Sequence, residues 1–116
     1  MRILGIDPGY AIVGYGVIEA VAGRYRPLEY GAITTPAGVD FGLRLQEIYE
    51  GMGEILSRWK PQAAALEKLY FTNNKTTGIG VAEARGVVLL ALSQKGVPLF
   101  EYTPMQVKQA VNGDGQ

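Results

Sequence analysis

Two carboxylates stand where apolar stretches of this chain end. Asp7 closes the run ILGID and is followed by Pro8 and Gly9, while Glu67 closes QAAALE and is followed by a polar loop. Two carboxylates brought together repel each other unless a cation lies between them. Magnesium suits such a pair, because it takes one or two protein carboxylates and completes its shell with water and substrate phosphate; manganese shares the preference for oxygen. An ion held in this way activates a water and stabilises the charge that develops on a phosphodiester. The 116 residues include no cysteine and no histidine, which excludes thiolate and imidazole zinc centres and a Ser-His-Asp triad.

Each acid also has a plainer reading. Asp-Pro-Gly makes a turn by itself, with the aspartate bonding the following backbone and Gly9 expected to supply a positive φ. A glutamate at a strand end is often simply solvated. Taken singly, Asp7 reads equally well as a turn residue, and Glu67 reads more readily as a solvated strand-end residue than as a ligand; only the pair, with a topology that unites them, makes a site. The apolar flanks of Asp7 lead to the expectation of a rigid, partly desolvated carboxylate.

The loop after Glu67 reads KLYFTNNK. Tyr70 and Phe71 are flanked by Lys68 and Lys75, with Asn73 and Asn74 between. Aromatics in such company stack on nucleobases while cations and amides meet phosphates; otherwise they anchor the loop to the core. Lys108 and Gln109 follow a helix start at Thr103, Pro104 and Gln106 and face either phosphate or solvent. The formal net charge is zero, but up to Leu56 seven acids stand against four bases, and after it seven bases against four acids. That asymmetry gives weak support to an anionic ligand on the later part.

The elements that must position these residues are legible as periods. Residues 2–7, 12–20 and 24–35 read as strands joined by short turns, hence an antiparallel meander, with Pro27 placing the third at an edge. Over 41–59, Leu45, Ile48, Met52, Ile55, Leu56 and Trp59 form a helical stripe, with Asp40 as N-cap and Pro61 as the stop. QAAALE, too short for a helix, reads as a fourth strand. A second helix, roughly 75–95, carries Gly78, Gly80, Ala82, Ala84 and Gly86, small residues that suggest close approach of another backbone. VPLFEY (97–102) reads as a fifth strand. The expected fold is a single α/β domain over 1–116 with a mixed five-stranded sheet, three antiparallel strands then parallel ones, flanked by helices. If the first and fourth strands are parallel neighbours, Asp7 and Glu67 end at the same sheet edge, where open α/β sheets place their sites. Nothing at the N-terminus resembles a signal peptide and no stretch approaches the ~18 apolar residues of a membrane span, so a cytoplasmic protein is the expectation.

GIDPG followed by GYGVI, a strand ending in Glu67 with an aromatic loop after it, then ARGV and FEYTPMQVKQAV together resemble the RuvC family of bacterial Holliday junction resolvases, in order and over essentially the whole chain. The resemblance implies a ribonuclease H-like fold, a homodimer, and magnesium-dependent cutting of two symmetric strands of a four-way junction in recombination and repair. It implies junction DNA and a branch-migration motor complex of the same pathway as partners. By this resemblance Asp7 and Glu67 fall on the first two metal-binding acids, Tyr70 and Phe71 near the junction bases, and Lys108 on the DNA-facing helix. Gly78, Ala82 and Gly86 fall where subunits pair. Family members continue past Gln116 with further metal-binding acids, a basic region and a closing helix, so a truncated form that binds metal weakly and cleaves little or not at all is expected. Two alternatives stand beside it. One is a catalytically incomplete junction-binding subunit. The other is a fragment of an actin-like or sugar-kinase-type ATPase, which also begins Gly-Ile-Asp-x-Gly with a hairpin that cradles phosphate, but which needs a later phosphate loop and an adenosine-binding element.

Overall fold

The computed structural model describes residues 1–9, 11–67 and 75–102, and of Glu67, residues 75–78 and Tyr102 the backbone alone. Three strands open the chain: β1 (Arg2–Pro8), β2 (Ile12–Val21) and β3 (Arg24–Thr34). They are followed by α1 (Phe41–Trp59), β4 (Ala63–Glu67), α2 (Lys75–Gln94) and β5 (Leu99–Tyr102). The sheet order is β3-β2-β1-β4-β5. β1, β2 and β3 are antiparallel neighbours, while β4 runs parallel to β1 and β5 parallel to β4. This is the mixed five-stranded sheet expected, with β3 at an edge and Pro27 beside a bulge between Val17 and Ile18. The helix expected after Thr103 lies outside the described residues.

Alternation along the strands decides which face is buried. Register sets Leu4 level with Val17 and Ala64, and Ile6 level with Leu66. These side chains therefore share one face, and all of them are buried. They meet Ile48, Met52, Ile55 and Leu56 of α1 and Ala84, Val88, Ala91 and Leu92 of α2 in one core. Full burial of each Leu, Ile or Val contributes about 1.5–3 kcal/mol, which is why the two helices lie on this face. The opposite face carries Ile3, Gly5 and Asp7, half-buried or exposed, and Tyr30 and Phe100 are 72% and 63% exposed.

Several local expectations change on contact with the tertiary structure. Asp40 occupies the N-cap of α1 but makes no side-chain cap bond. Its backbone carbonyl instead accepts the Leu43 and Arg44 N–H groups at 3.0 and 3.2 Å. The stop at the other end comes at Lys60, which takes a left-handed conformation (φ 46°) with its N–H on the Leu56 carbonyl; Pro61 acts on the residue before it, because a proline bars its predecessor from the helical region. The small residues of α2 divide. Gly80 and Ala84 are buried, but a Cβ at Gly86 would meet no atom within 4 Å, so no neighbouring backbone among the described residues requires that glycine. Among the described residues, no helix is long and apolar enough to cross a membrane.

Candidate functional site

The register between β1 and β4 places the two acids. The parallel pairs run from Ile3 with Ala63 to Ile6 with Leu66, so the next position on each strand, Asp7 and Glu67, stands at the same level. Adjacent strands lie about 5 Å apart, and both residues sit at the C-terminal ends of their strands, at one sheet edge. A slip of one residue would destroy this alignment, and the far end of the pair guards against it. The Arg2 N–H donates to Gln62 Oε1 at 3.0 Å, and the Gln62 N–H to the Arg2 carbonyl at 2.8 Å. The Arg2 guanidinium donates to the Trp59 carbonyl at 2.8 Å and lies 5.6 Å from the centre of the Trp59 ring. The end of α1, the start of β4 and the start of β1 are thereby tied together.

Asp7 is exposed, which corrects the expectation of a partly desolvated carboxylate. Flanking apolar residues bury Leu4 and Ile6 on the helix face, and alternation turns Asp7 to the other one. Across the sheet Asp7 pairs with Gly14; a Cβ on Gly14 would lie 4.0 Å from the Asp7 Cβ, so the strand beside the carboxylate carries no side chain to cover it.

The turn after Asp7 is tight. The Gly9 N–H donates to the Ile12 carbonyl at 2.9 Å, and a Cβ at Gly9 would lie 2.3 Å from that same oxygen. Among the described residues the glycines of positive φ are Gly23, Gly38 and Gly96, and Gly9 is not one of them. The glycine is therefore required by the close approach of a carbonyl and not, as the sequence suggested, by a left-handed backbone. The Ala11 carbonyl accepts two bonds from Thr35, from N–H at 3.1 Å and from Oγ1 at 3.2 Å. Arg44 Nε donates to that Oγ1 at 2.9 Å.

Periodicity did not anticipate Arg44, which is 7% exposed and stands one turn before Ile48 on the buried stripe of α1. The signal was its position: a charged residue at the spacing of the apolar ones. Nor did it anticipate Glu29 on β3, whose carboxylate accepts from Tyr15 Oη at 3.0 Å, Trp59 Nε1 at 2.8 Å and Arg58 at 3.1 Å. The Trp59 indole N–H above all, with Tyr15 and Arg58 behind it, holds the Glu29 carboxyl below the usual carboxylate range. Burial, then the bond to Glu29, pushes the Tyr15 hydroxyl up. This cluster pins the end of α1 to the β2–β3 side of the sheet. At the other side, Arg85 of α2 pairs with Glu101 of β5 at 2.6 Å; Glu101 is level with Leu66, one position before Glu67.

Of the residues expected at the site, the structure brings together the backbone positions of Asp7 and Glu67. Lys75 opens α2. Lys68, Tyr70, Phe71, Asn73, Asn74, Lys108 and Gln109 lie outside the described residues. Gly78, Ala82 and Gly86 fall at four-residue intervals along α2, one helical face. Two oxygen-donor carboxylates at one open sheet edge fit a hard cation such as magnesium or manganese. Among the described side chains, no group of three or more acidic, histidine or cysteine residues could hold a metal.

A family model described as crossover junction endodeoxyribonuclease RuvC matches residues 3–116. The crossover junction endodeoxyribonuclease RuvC of Brevibacillus brevis is 53% identical over 115 residues, covering 99% of this chain and 69% of that protein. That of Moorella thermoacetica is 53% identical over 116 residues, covering 100% and 70%. Among solved structures, T. thermophilus RuvC in complex with Holliday junction substrate matches with a TM-score of 0.87 at 34% identity, over 95% of this chain and 69% of the other. The sheet order built above is thus the ribonuclease H-like one of these relatives. With its β1 and β4 acids level at one edge and a family match that runs from residue 3 to residue 116, the chain belongs to the RuvC family of crossover junction endodeoxyribonucleases.

Proposed function

We propose that residues 1–116 belong to one nuclease domain that, at the length of its relatives, hydrolyses phosphodiester bonds of four-way DNA junctions in the cytoplasm, with magnesium, or manganese in its place, held by Asp7 and Glu67, and that the 116 residues alone cleave little or not at all. The observation that carries this reading is the β1–β4 register, which sets the two acids level at the ends of adjacent strands. When bound, the ion supplies a water of lowered pKa and neutralises charge on the cleaved phosphate. The chain's own part is to hold its donors ready. Asp7 presents an exposed carboxylate at the end of a strand fixed by β2 on one side and β4 on the other, and Gly14 leaves the approach beside it clear.

Lys68, Tyr70, Phe71, Asn73, Asn74, Lys75, Lys108 and Gln109 contact the junction in this reading, the aromatics by stacking on bases and the cations on phosphates. Two copies pair through Gly78, Ala82 and Gly86. Support for the pairing comes from the exposed line of α2, where Ile79 (58% exposed) and Leu90 (51%) flank the open surface at Gly86. A dimer positions two sites for two symmetric strands, and a branch-migration motor supplies the junction.

The test is cleavage of a synthetic four-way junction by the protein extended to the length of its relatives, beside its Asp7→Asn variant. The variant should bind the junction at low salt as the parent does and lose cleavage by at least about 100-fold, as expected for removal of transition-state charge stabilisation. Intact cutting by Asp7→Asn would make Asp7 a turn residue and remove this mechanism. Binding without cleavage by the parent would favour the junction-binding subunit, and nucleotide binding would favour the ATPase.

A further inference from the structure

The turn that follows Asp7 is gripped from inside the protein. The grip consists of Arg44, Thr35 and the Ala11 carbonyl, in that order. Arg44 and Thr35 are each 7% exposed. Burying a guanidinium is costly unless it is paired or hydrogen-bonded, and the apolar stripe of α1 would have been continued by any aliphatic residue at that position. Core packing alone therefore gives no reason for an arginine there. Its bond to Thr35 does. The Thr35 hydroxyl carries one proton and directs it to the Ala11 carbonyl at 3.2 Å. Its lone pairs then accept from Arg44 Nε at 2.9 Å. The direction is thus fixed, from guanidinium to hydroxyl to carbonyl, and a charged donor at its head strengthens the bond beyond it. Ala11 is four residues from Asp7 in the same turn, and its carbonyl also accepts the Thr35 N–H.

We propose that Arg44, acting through Thr35, is a positioning residue for the candidate metal site: it holds the β1–β2 turn and so keeps the Asp7 end of β1 in place for a divalent cation. The proposal rests on the reading of Asp7 as a metal ligand. In this reading Arg44 acts on the site through Thr35 and the turn, as a positioning residue and not as a ligand.

The test compares Thr35→Val with Thr35→Ser. Valine keeps the branched shape and the N–H bond to Ala11 but removes the hydroxyl; serine keeps the hydroxyl. Three quantities are read on the full-length protein: Mn2+ affinity by water-proton relaxation, amide exchange at Gly9 and at Leu4, and urea unfolding. Thr35→Val should weaken Mn2+ binding about tenfold and speed exchange at Gly9, whose N–H is bonded within the turn, by at least about tenfold more than at Leu4 in mid-strand. Thr35→Ser should stay within about twofold of the parent in both. Arg44→Lys, which keeps the charge but lacks Nε, should behave as Thr35→Val does, and stands in for it if the valine variant does not fold. Unchanged Mn2+ affinity in Thr35→Val, or equal quickening at Gly9 and Leu4, would overturn the proposal and leave the pair a merely structural role. Asp7→Asn separates this failure from that of the site itself. If Asp7→Asn binds Mn2+ as the parent does, Asp7 is no ligand and positioning for metal falls with it; if Asp7→Asn loses Mn2+ while Thr35→Val keeps it, only the positioning role is lost.

Discussion

Gly9→Ala offers the sharpest test of how firmly the turn beside Asp7 is built. The added methyl would stand 2.3 Å from the Ile12 carbonyl oxygen, whereas a carbon and an oxygen in ordinary contact are more than ~3 Å apart. The obstacle is backbone, so no rotamer change relieves it; the turn must open by roughly 1 Å. Opening breaks the Gly9 N–H bond to the same oxygen, now 2.9 Å long, at a net cost of about 1 kcal/mol. The strain of the displaced backbone adds about 1–3 kcal/mol. The sum is about 2–4 kcal/mol, large against a typical domain stability of about 5–15 kcal/mol. Urea unfolding of the variant, analysed with a common m-value, measures it directly. The functional consequence is separable: a displacement of about 1 Å at a reacting group costs about 100-fold in rate, so junction cleavage by the full-length variant should fall by that order even where the protein is fully folded. A Gly9→Ala protein within about 0.5 kcal/mol of the parent and with undiminished cleavage would refute the reasoning, because it would show that the turn yields without strain and does not set the Asp7 carboxylate.

Three further outcomes test other parts of the structure. In α1, Gly53→Ala should stabilise by about 0.5–1 kcal/mol, since a Cβ there meets nothing within 4 Å; Gly51→Ala, whose Cβ would lie 2.9–3.1 Å from three atoms of Ile33, should offset that gain by overpacking of about 1–3 kcal/mol, and equal effects in urea unfolding would contradict the contact. Glu29 has a depressed folded pKa, so its contribution is present above the ordinary glutamate value of about 4.3 and is lost as pH falls through the depressed one. The stability advantage of the parent over Glu29→Gln should accordingly be level from about pH 5 to 8 and close below about pH 4, and an advantage undiminished in acid would contradict the assignment. For the proposed subunit pairing, Gly86→Gln on the open face of α2 should raise the dimer dissociation constant at least about tenfold by sedimentation, with unfolding of the monomer changed by less than about 1 kcal/mol; an unaltered dimer would move the interface elsewhere.

Much of this protein is legible without coordinates because it is written in local periods. The alternation through ILGID and IVGYGVI, the 3.6-residue stripe from Ile48 to Leu56 and the shortness of QAAALE each identify an element by which side chains it must bury. Short turns dictate antiparallel neighbours and long helical connections parallel ones, so even the ends at which Asp7 and Glu67 lie follow from the chain alone. What the local pattern could not contain is pairing over distance. Arg2 meets Trp59 and Gln62, Glu29 gathers Tyr15, Arg58 and Trp59, and Arg44 reaches through Thr35 to Ala11. Arg44 is buried and Arg2 and Glu29 are half-buried, and withdrawing such groups from water is tolerable because each has a partner elsewhere in the chain. Gly9 carries the same lesson at short range: its type announced a turn, but only the position of the Ile12 carbonyl decided why no side chain fits there. The exposure of Asp7 was decided in the same way. Neighbours in sequence suggested desolvation, and the pleat of a sheet whose helices lie on the other face turned its carboxylate to the open side.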